Sequence, residues 1–162
     1  MIRIVPEHIR HFIQSHFTLT LATTDGDQPW AAALYYVSDV DLNLYFISDP
    51  DTRHVREGLR SGTVAVAIHG AHQFWATIRG IQMQGRLEAV APGDRPRVEA
   101  LYFARFTDVG MLVRSPADAT QARIAEKFRG SNFYHITPLR LRYIDNTRGF
   151  GRPEEIDLQS PG

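Results

Sequence analysis

The sequence predicts a mainly β protein: an antiparallel Greek-key or split β-barrel with peripheral helices, built as one domain. Three observations carry that prediction. Early runs alternate apolar and polar residues, the turns between them are too tight for crossover helices, and glycines interrupt a long extended stretch later in the chain. At 162 residues the chain suits a single core.

Pro6 opens a helix to about His16, with Ile9, Phe12 and Ile13 on one face. Phe17 to Thr23 then alternates apolar and hydroxyl residues, the pattern of a strand with one buried face. Asp25-Gly26-Asp27-Gln28 is a turn by composition, and Trp30 to Val37 and Leu42 to Ser48 are the next two strands. Asp49-Pro50-Asp51 breaks the chain, and Asp51 or Thr52 caps a short helix to about Arg60. Thr63 to His69 is a fourth strand. Phe74 to Val90 is a long extended stretch in which Gly80 and Gly85 mark bends or bulges. A helix over Arg95–Phe106 has Val98, Leu101, Tyr102 and Phe106 as its apolar set. Residues 114–131 are expected to be an inserted loop with one helical stretch near Thr120–Phe128. Phe133 to Asp145 is the last strand, residues 1–152 form the domain, and the tail 153–162 is expected to be loosely held.

Composition narrows the function. Arginine and lysine balance the acids at a formal charge of zero, so the cationic surplus that displaces counterions from nucleic acid is absent and no nucleic-acid partner is expected. Among the basic residues only Lys127 is a lysine, so any anion site is built from planar guanidinium forks. Cysteine is absent, which removes disulfides, thiolate metal sites and a cysteine nucleophile. The start has no long apolar run and no later segment is apolar enough to span a bilayer, so the expected compartment is the cytoplasm, with no membrane partner. The sequence has no Gly-x-Ser-x-Gly elbow, Gly-Lys-Ser/Thr loop or His-Glu-x-x-His helix. His8 with His11, and His69 with His72, are pairs without a spaced carboxylate, which favours structural or surface roles and no metal.

Ser48-Asp49-Pro50-Asp51-Thr52-Arg53-His54 is the most informative segment. A strand end feeds a helix N-terminus, where free amides and the helix dipole favour an anion. Ser48 and Thr52 add hydroxyls, Arg53 a forked cation and His54 a further donor, an inventory suited to a phosphate monoester. An equally weighted alternative has Asp51 capping the helix while Arg53 and His54 face water. Trp30-Ala31-Ala32-Ala33 offers small side chains on which a flat ring can lie, or simply a strand packed on a helix. Arg79 and Gln82 are polar residues in an apolar strand; three apart, they face opposite ways unless a bulge at Gly80 aligns them. A ligand, a salt bridge or a subunit contact would each supply their partners.

Four segments carry a family resemblance, in order along nearly the whole chain: Thr52-Arg53-His54, Ile78-Arg79-Gly80-Ile81-Gln82-x-x-Gly85, Ala104-Arg105-Phe106 with Met111-Leu112, and Asp145-Asn146-Thr147-x-Gly149-Phe150-Gly151. On these the chain resembles the YhbP-type family of the pyridoxamine 5'-phosphate oxidase-like split barrels, the last segment being the most specific. The resemblance implies a homodimer with flavin mononucleotide (FMN) in each interface cleft. It places Thr52, Arg53 and His54 on the flavin phosphate, with histidine where the family usually has lysine. Ala31, Ala32, Ala33 and Leu34 would lie against the ring, with Ile47 and Ser48 nearby, and Gln82, Asn146 and Phe150 would approach it. The implied function is a flavoprotein oxidoreductase, or flavin reductase-like protein, in which the flavin takes hydride from NAD(P)H and passes electrons to a small acceptor. Arg79 is the candidate for stabilising the reduced ring, and no acid–base residue is assigned. The alternatives are a non-catalytic protein that stores or senses flavin, haem or another anion, and a haem-binding barrel with a histidine axial ligand.

Overall fold

The computed structural model describes residues 4–71 and 74–159. His72, one of the paired histidines considered above, lies outside the described residues. Helix α1 (Glu7–Ser15) places Ile9, Phe12 and Ile13 in the core. It is tied there by the Tyr36 hydroxyl, which donates to the Ile13 carbonyl at 2.6 Å. β1 (Thr18–Asp25) and β2 (Gln28–Tyr35) form an antiparallel hairpin around Gly26, with Thr20 opposite Ala33. β2 runs on through buried Tyr36 into β3 (Val37–Ser38), which pairs with β4 (Leu44–Ser48) instead of β1.

Helix α2 (Arg53–Ser61) follows and ends at Gly62, whose φ of 70° is the left-handed conformation that closes a helix and is costly for other residues. β5 (Thr63–His69), β6 (Arg79–Ala89), β7 (Asn132–Asp145) and β8 (Glu154–Asp157) complete an eight-stranded sheet ordered β2-β1-β5-β6-β7-β4-β3, with β8 alongside β7. Because β2 and β3 are one run of chain at opposite ends of that order, the sheet curls back on itself. This is the expected antiparallel split barrel.

Three helices pack outside β4 and β7: α3 (Arg95–Arg105), α4 (Thr107–Arg114) and α5 (Ala119–Gly130). They create a second apolar cluster in which Val98, Tyr102 and Phe133 are buried, separate from the barrel core. The helical stretch expected near Thr120–Phe128 is α5, which spans most of residues 114–131 and is capped by the Asp118 carboxylate accepting from the Gln121 amide at 2.8 Å. α4 has no clear sequence signature because Gly110, Val109 and Val113 are weak helix formers; packing decides it, with Gly110 set directly against the Phe103 ring.

The tail also departs from expectation. Glu154–Asp157 pairs with β7 from Arg140 to Tyr143, and Ile156 and Leu158 pack against the barrel core. That alternation of apolar with acidic residues is a strand pattern too short to stand out in the sequence. A register shift falls between Gln84 and Gly85, and Gly80 stays in regular pairing. No helix among the described residues is long and apolar enough to cross a membrane.

Candidate functional site

The turn between β4 and α2 gathers the residues proposed to meet a phosphate. Ser48 Oγ lies 2.9 Å from His54 Nε2 and 3.2 Å from Thr52 Oγ1, and Thr52 Oγ1 is 3.3 Å from the same imidazole nitrogen. Thr52 donates to the Asp49 carbonyl at 2.9 Å, which orients its hydroxyl. The Thr52 side chain makes no cap hydrogen bond, so it leaves amides of the first turn of α2 for an external acceptor. His54 is buried beside Phe46, and burial pushes its pKa below the ordinary histidine value. Asp51 is exposed, and its amide donates to the Asp49 carboxylate at 2.8 Å.

Arg53 faces another way. Its Nε donates to Glu57 Oε1 at 2.6 Å, one of its terminal nitrogens reaches the Gln28 carbonyl at 3.5 Å, and its guanidinium lies 4.7 Å from the centre of the Trp30 ring. Buried Glu57 takes a second hydrogen bond, from the Thr23 hydroxyl at 2.7 Å. These bonds, that from Arg53 first and that from Thr23 next, hold the Glu57 carboxyl below its usual range despite its burial. Thr23, Trp30 and Glu57 were not assigned roles from the sequence. The Arg53-x-x-x-Glu57 spacing was a legible signal for the ion pair, whereas the contacts with Thr23 and Trp30 needed the β1–β2 register.

The strand residues proposed for the ring divide between two faces. On β2, Ala31 and Ala33 share the outward face with Tyr35, while Ala32 and Leu34 sit opposite Leu21 and Leu19 on the core side. A single flat group can therefore meet one pair only. Ile47 packs into the cluster under the helices, and its neighbour Ser48 points the other way, toward His54.

Arg79 and Gln82 are not aligned. Arg79 sits at the end of β6, 3.5 Å from the Asp145 carboxylate, and Gln82 projects from the outer face opposite Ala67 and Arg142. The 14-residue β7 runs from Asn132, paired with Ser48, to Asp145, paired with Arg79. The two groups thus lie at opposite ends of a strand roughly 40 Å long at about 3.3 Å per residue. Asn146 is occupied structurally: its side-chain amide donates to the Trp75 carbonyl at 2.7 Å and its backbone amide to the Ile78 carbonyl at 2.9 Å. Phe150 is 76% exposed on the adjoining loop.

A second depression, an open groove of about 530 Å³, lies between α1 and the Arg79 end of the barrel. Phe12 and Tyr143 supply its aromatic surface, His8, His11 and His16 its imidazoles, and Arg79 and Arg148 its guanidinium groups. Asp145 is desolvated by burial, but hydrogen bonds from Thr147 and Tyr143 outweigh that and keep its pKa below the ordinary value. Burial, reinforced by Asp145, raises Tyr143 to about 12, so its phenol remains protonated. Among the described residues no three His, Asp or Glu side chains converge as a metal site.

Comparisons with known proteins agree on one group. The family model described as pyridoxamine 5'-phosphate oxidase matches residues 5–144. A UPF0306 protein of Klebsiella pneumoniae (strain 342) is 26% identical over 145 residues, which cover 89% of this chain and 87% of that one. UPF0306 protein YhbP of Salmonella paratyphi C is 27% identical with the same coverages. Among solved structures, the conserved hypothetical protein Rv2991 of Mycobacterium tuberculosis aligns with a TM-score of 0.69 at 21% identity, covering 94% of this chain and 91% of that one. A haem-binding protein of Mycobacterium smegmatis gives 0.68 at 18%, covering 95% and 59%. A FAD-binding protein of Mesorhizobium loti gives 0.61 at 17%, covering 83% and 87%. At these identities the structural likenesses establish the fold.

Proposed function

The chain belongs to the pyridoxamine 5'-phosphate oxidase family, and from that premise we propose that it is a homodimeric flavoprotein that seats the phosphate of FMN on the turn between β4 and α2. The observation that carries this reading is the convergence of Ser48, Thr52 and His54 within 3.3 Å of one another at a helix N-terminus with no side-chain cap. The Ser48 hydroxyl, the His54 imidazole and amides of the first helical turn are donors suited to a phosphate monoester, while Thr52, whose hydroxyl proton goes to the Asp49 carbonyl, holds the turn in shape. Arg53 adds charge from the side, with the guanidinium nitrogen not bonded to Glu57 or Gln28 still available.

The outer sheet face supports a second copy as partner. Helices α3–α5 cover β4 and β7, and no helix among the described residues covers the outward face of Ala31, Ala33, Thr20, Ala65, Ala67 and Gln82. Across β2, β1 and β5 that face carries small side chains, as close packing of a second sheet requires, and Arg142 stands opposite Gln82 at its β6–β7 side. Arg79 and Ser48 mark opposite ends of β7 within one chain, so an approach of Arg79 to a flavin seated on the β4–α2 turn would come from the partner copy. When bound, the flavin supplies the hydride and electron chemistry, and the protein supplies seating, orientation and charge. An oxidoreductase using NAD(P)H and a small acceptor is the activity that follows.

The test is a titration of the purified protein with FMN, followed by removal of excess and an absorbance spectrum, with light scattering on the same sample. Retention of about one flavin per chain in a species of twice the chain mass is expected. A protein that is monomeric and colourless after the titration sinks the reading.

One observation favours a second reading, haem in the α1 groove. His16 Nδ1 lies 2.7 Å from the Phe12 carbonyl, which fixes the N–H on that nitrogen and leaves Nε2 as a lone-pair donor. Arg79 and Arg148 border the same groove and are suited to carboxylate side arms. A Soret band on haem addition, lost in His16→Ala, supports this reading; haem absorbance unchanged by that substitution overturns it.

A further inference from the structure

We propose that Arg56 and Arg60, beside Arg53, form a second phosphoryl seat, so that the site takes a diphosphate-bearing ligand in preference to a monophosphate. The inference rests on the phosphate reading of the α2 N-terminus and extends it along the helix.

Positions 53, 56 and 60 recur on one face of α2, rising about 4.5 Å and then 6 Å along its axis. Their side chains border a single depression of about 400 Å³, together with Asp25, Gln28 and Glu57. The two carboxylates there are already engaged. Glu57 spends one oxygen on Arg53 and the other on Thr23, and Asp25 pairs with Arg60 at 2.7 Å. The Arg60 pair is exposed on both sides, at 61% and 58%, so it is held weakly and can exchange for a better acceptor. Arg56 is exposed and makes no salt bridge among the described residues.

The first guanidinium is not a mobile surface group. Arg53 is clamped between Glu57 and the Trp30 ring, so its position is set before a ligand arrives. A phosphate monoester on the helix N-terminus uses Arg53 alone. A second phosphoryl group, displaced along α2, would meet Arg56 and Arg60, whose planar forks suit two oxygens at once.

Calorimetry with inorganic phosphate and inorganic pyrophosphate, on wild type and on R56Q/R60Q, tests the seat. FMN retention is measured on the same samples, and R56Q alone serves if the double variant is poorly folded. Wild type is expected to favour pyrophosphate over phosphate by about tenfold or more, and the variant to lose that preference while binding phosphate unchanged. Equal affinities in wild type, or a preference that survives both substitutions, overturn the proposal. FMN retained without a pyrophosphate preference removes the second seat and leaves the flavin reading standing. An arginine-dependent pyrophosphate preference without FMN retention keeps the seat and removes FMN as its ligand. Binding of neither anion overturns the seat and its premise together.

Discussion

Arg53 and Glu57 form a buried-edge ion pair in which Arg53 Nε donates to Glu57 Oε1 at 2.6 Å, and that pair aims the guanidinium across Trp30 instead of out into water. The carboxylate is the fixed partner, since Thr23 holds its second oxygen.

Two substitutions separate charge from aim. Arg53→Ala is expected to weaken a phosphate-bearing flavin by about 1.5–3 kcal/mol, roughly 10- to 150-fold, through loss of a charge-assisted contact. Glu57→Gln keeps the charge and releases its aim, so affinity falls by less while the melting temperature drops. Fluorescence titration with FMN and a thermal melt read both effects. Equal affinity in Arg53→Ala and wild type would take Arg53 out of the site.

His54 gives the site a pH dependence with two opposed signs. Its pKa in the fold is lowered by burial, so the neutral ring is the form the fold prefers. The unfolded chain then binds more protons than the folded one below about pH 6.5. Stability is therefore full above that value and is lost as pH falls through the window below it. A bound phosphate reverses the local preference, because a protonated imidazole donates to it, so affinity is expected to rise as pH falls from 8 to 6. His54→Gln should flatten both profiles; a stability profile between pH 8 and 5 that is identical in the variant and wild type would remove His54 as the titrating group.

The barrel was legible because its signals are local: alternation in β1, turn chemistry at Asp25–Gln28, and the strand-to-helix break at Asp49–Thr52. Proximity of Ser48, Thr52 and His54 was legible for the same reason, since the turn alone brings them together. What stayed hidden depends on register. Nothing local says that Ala31 and Ala33 face away from the core while Ala32 and Leu34 face it, because all four are apolar. Nor does local pattern show that Arg79 and Ser48 mark opposite ends of β7, a relationship fixed by the β4–β7 and β6–β7 ladders.

Gly85 stands where the β6–β7 register shifts, and an added Cβ there would lie 2.4 Å from Ile136 Cγ2 and 3.1 Å from the Thr137 carbonyl oxygen. Ile136 is fully buried and the carbonyl is backbone, so neither can retreat cheaply. Gly85→Ala is expected to destabilise the protein by about 1–3 kcal/mol, as overpacking of a filled core does. Urea denaturation monitored by tryptophan fluorescence checks this, and a change below about 0.5 kcal/mol would show that the bulge relaxes.

The C-terminal strand closes one end of the α1 groove. Glu154 accepts from His8 at 2.9 Å and approaches Arg148 at 3.4 Å, while Ile156 and Leu158 add apolar contact to the barrel core. Deleting residues after Pro153 removes the β7–β8 ladder and both apolar anchors, at an expected cost of about 2–4 kcal/mol. It also frees His8 and Arg148 from their shared carboxylate, which makes the groove more cationic without touching Ser48, Thr52 or His54. The truncated protein should therefore melt at lower temperature yet keep its affinity for phosphate at the α2 turn. Loss of phosphate binding in parallel with stability would mean instead that the two ends of the barrel are coupled, and that β8 braces the distant turn through β7.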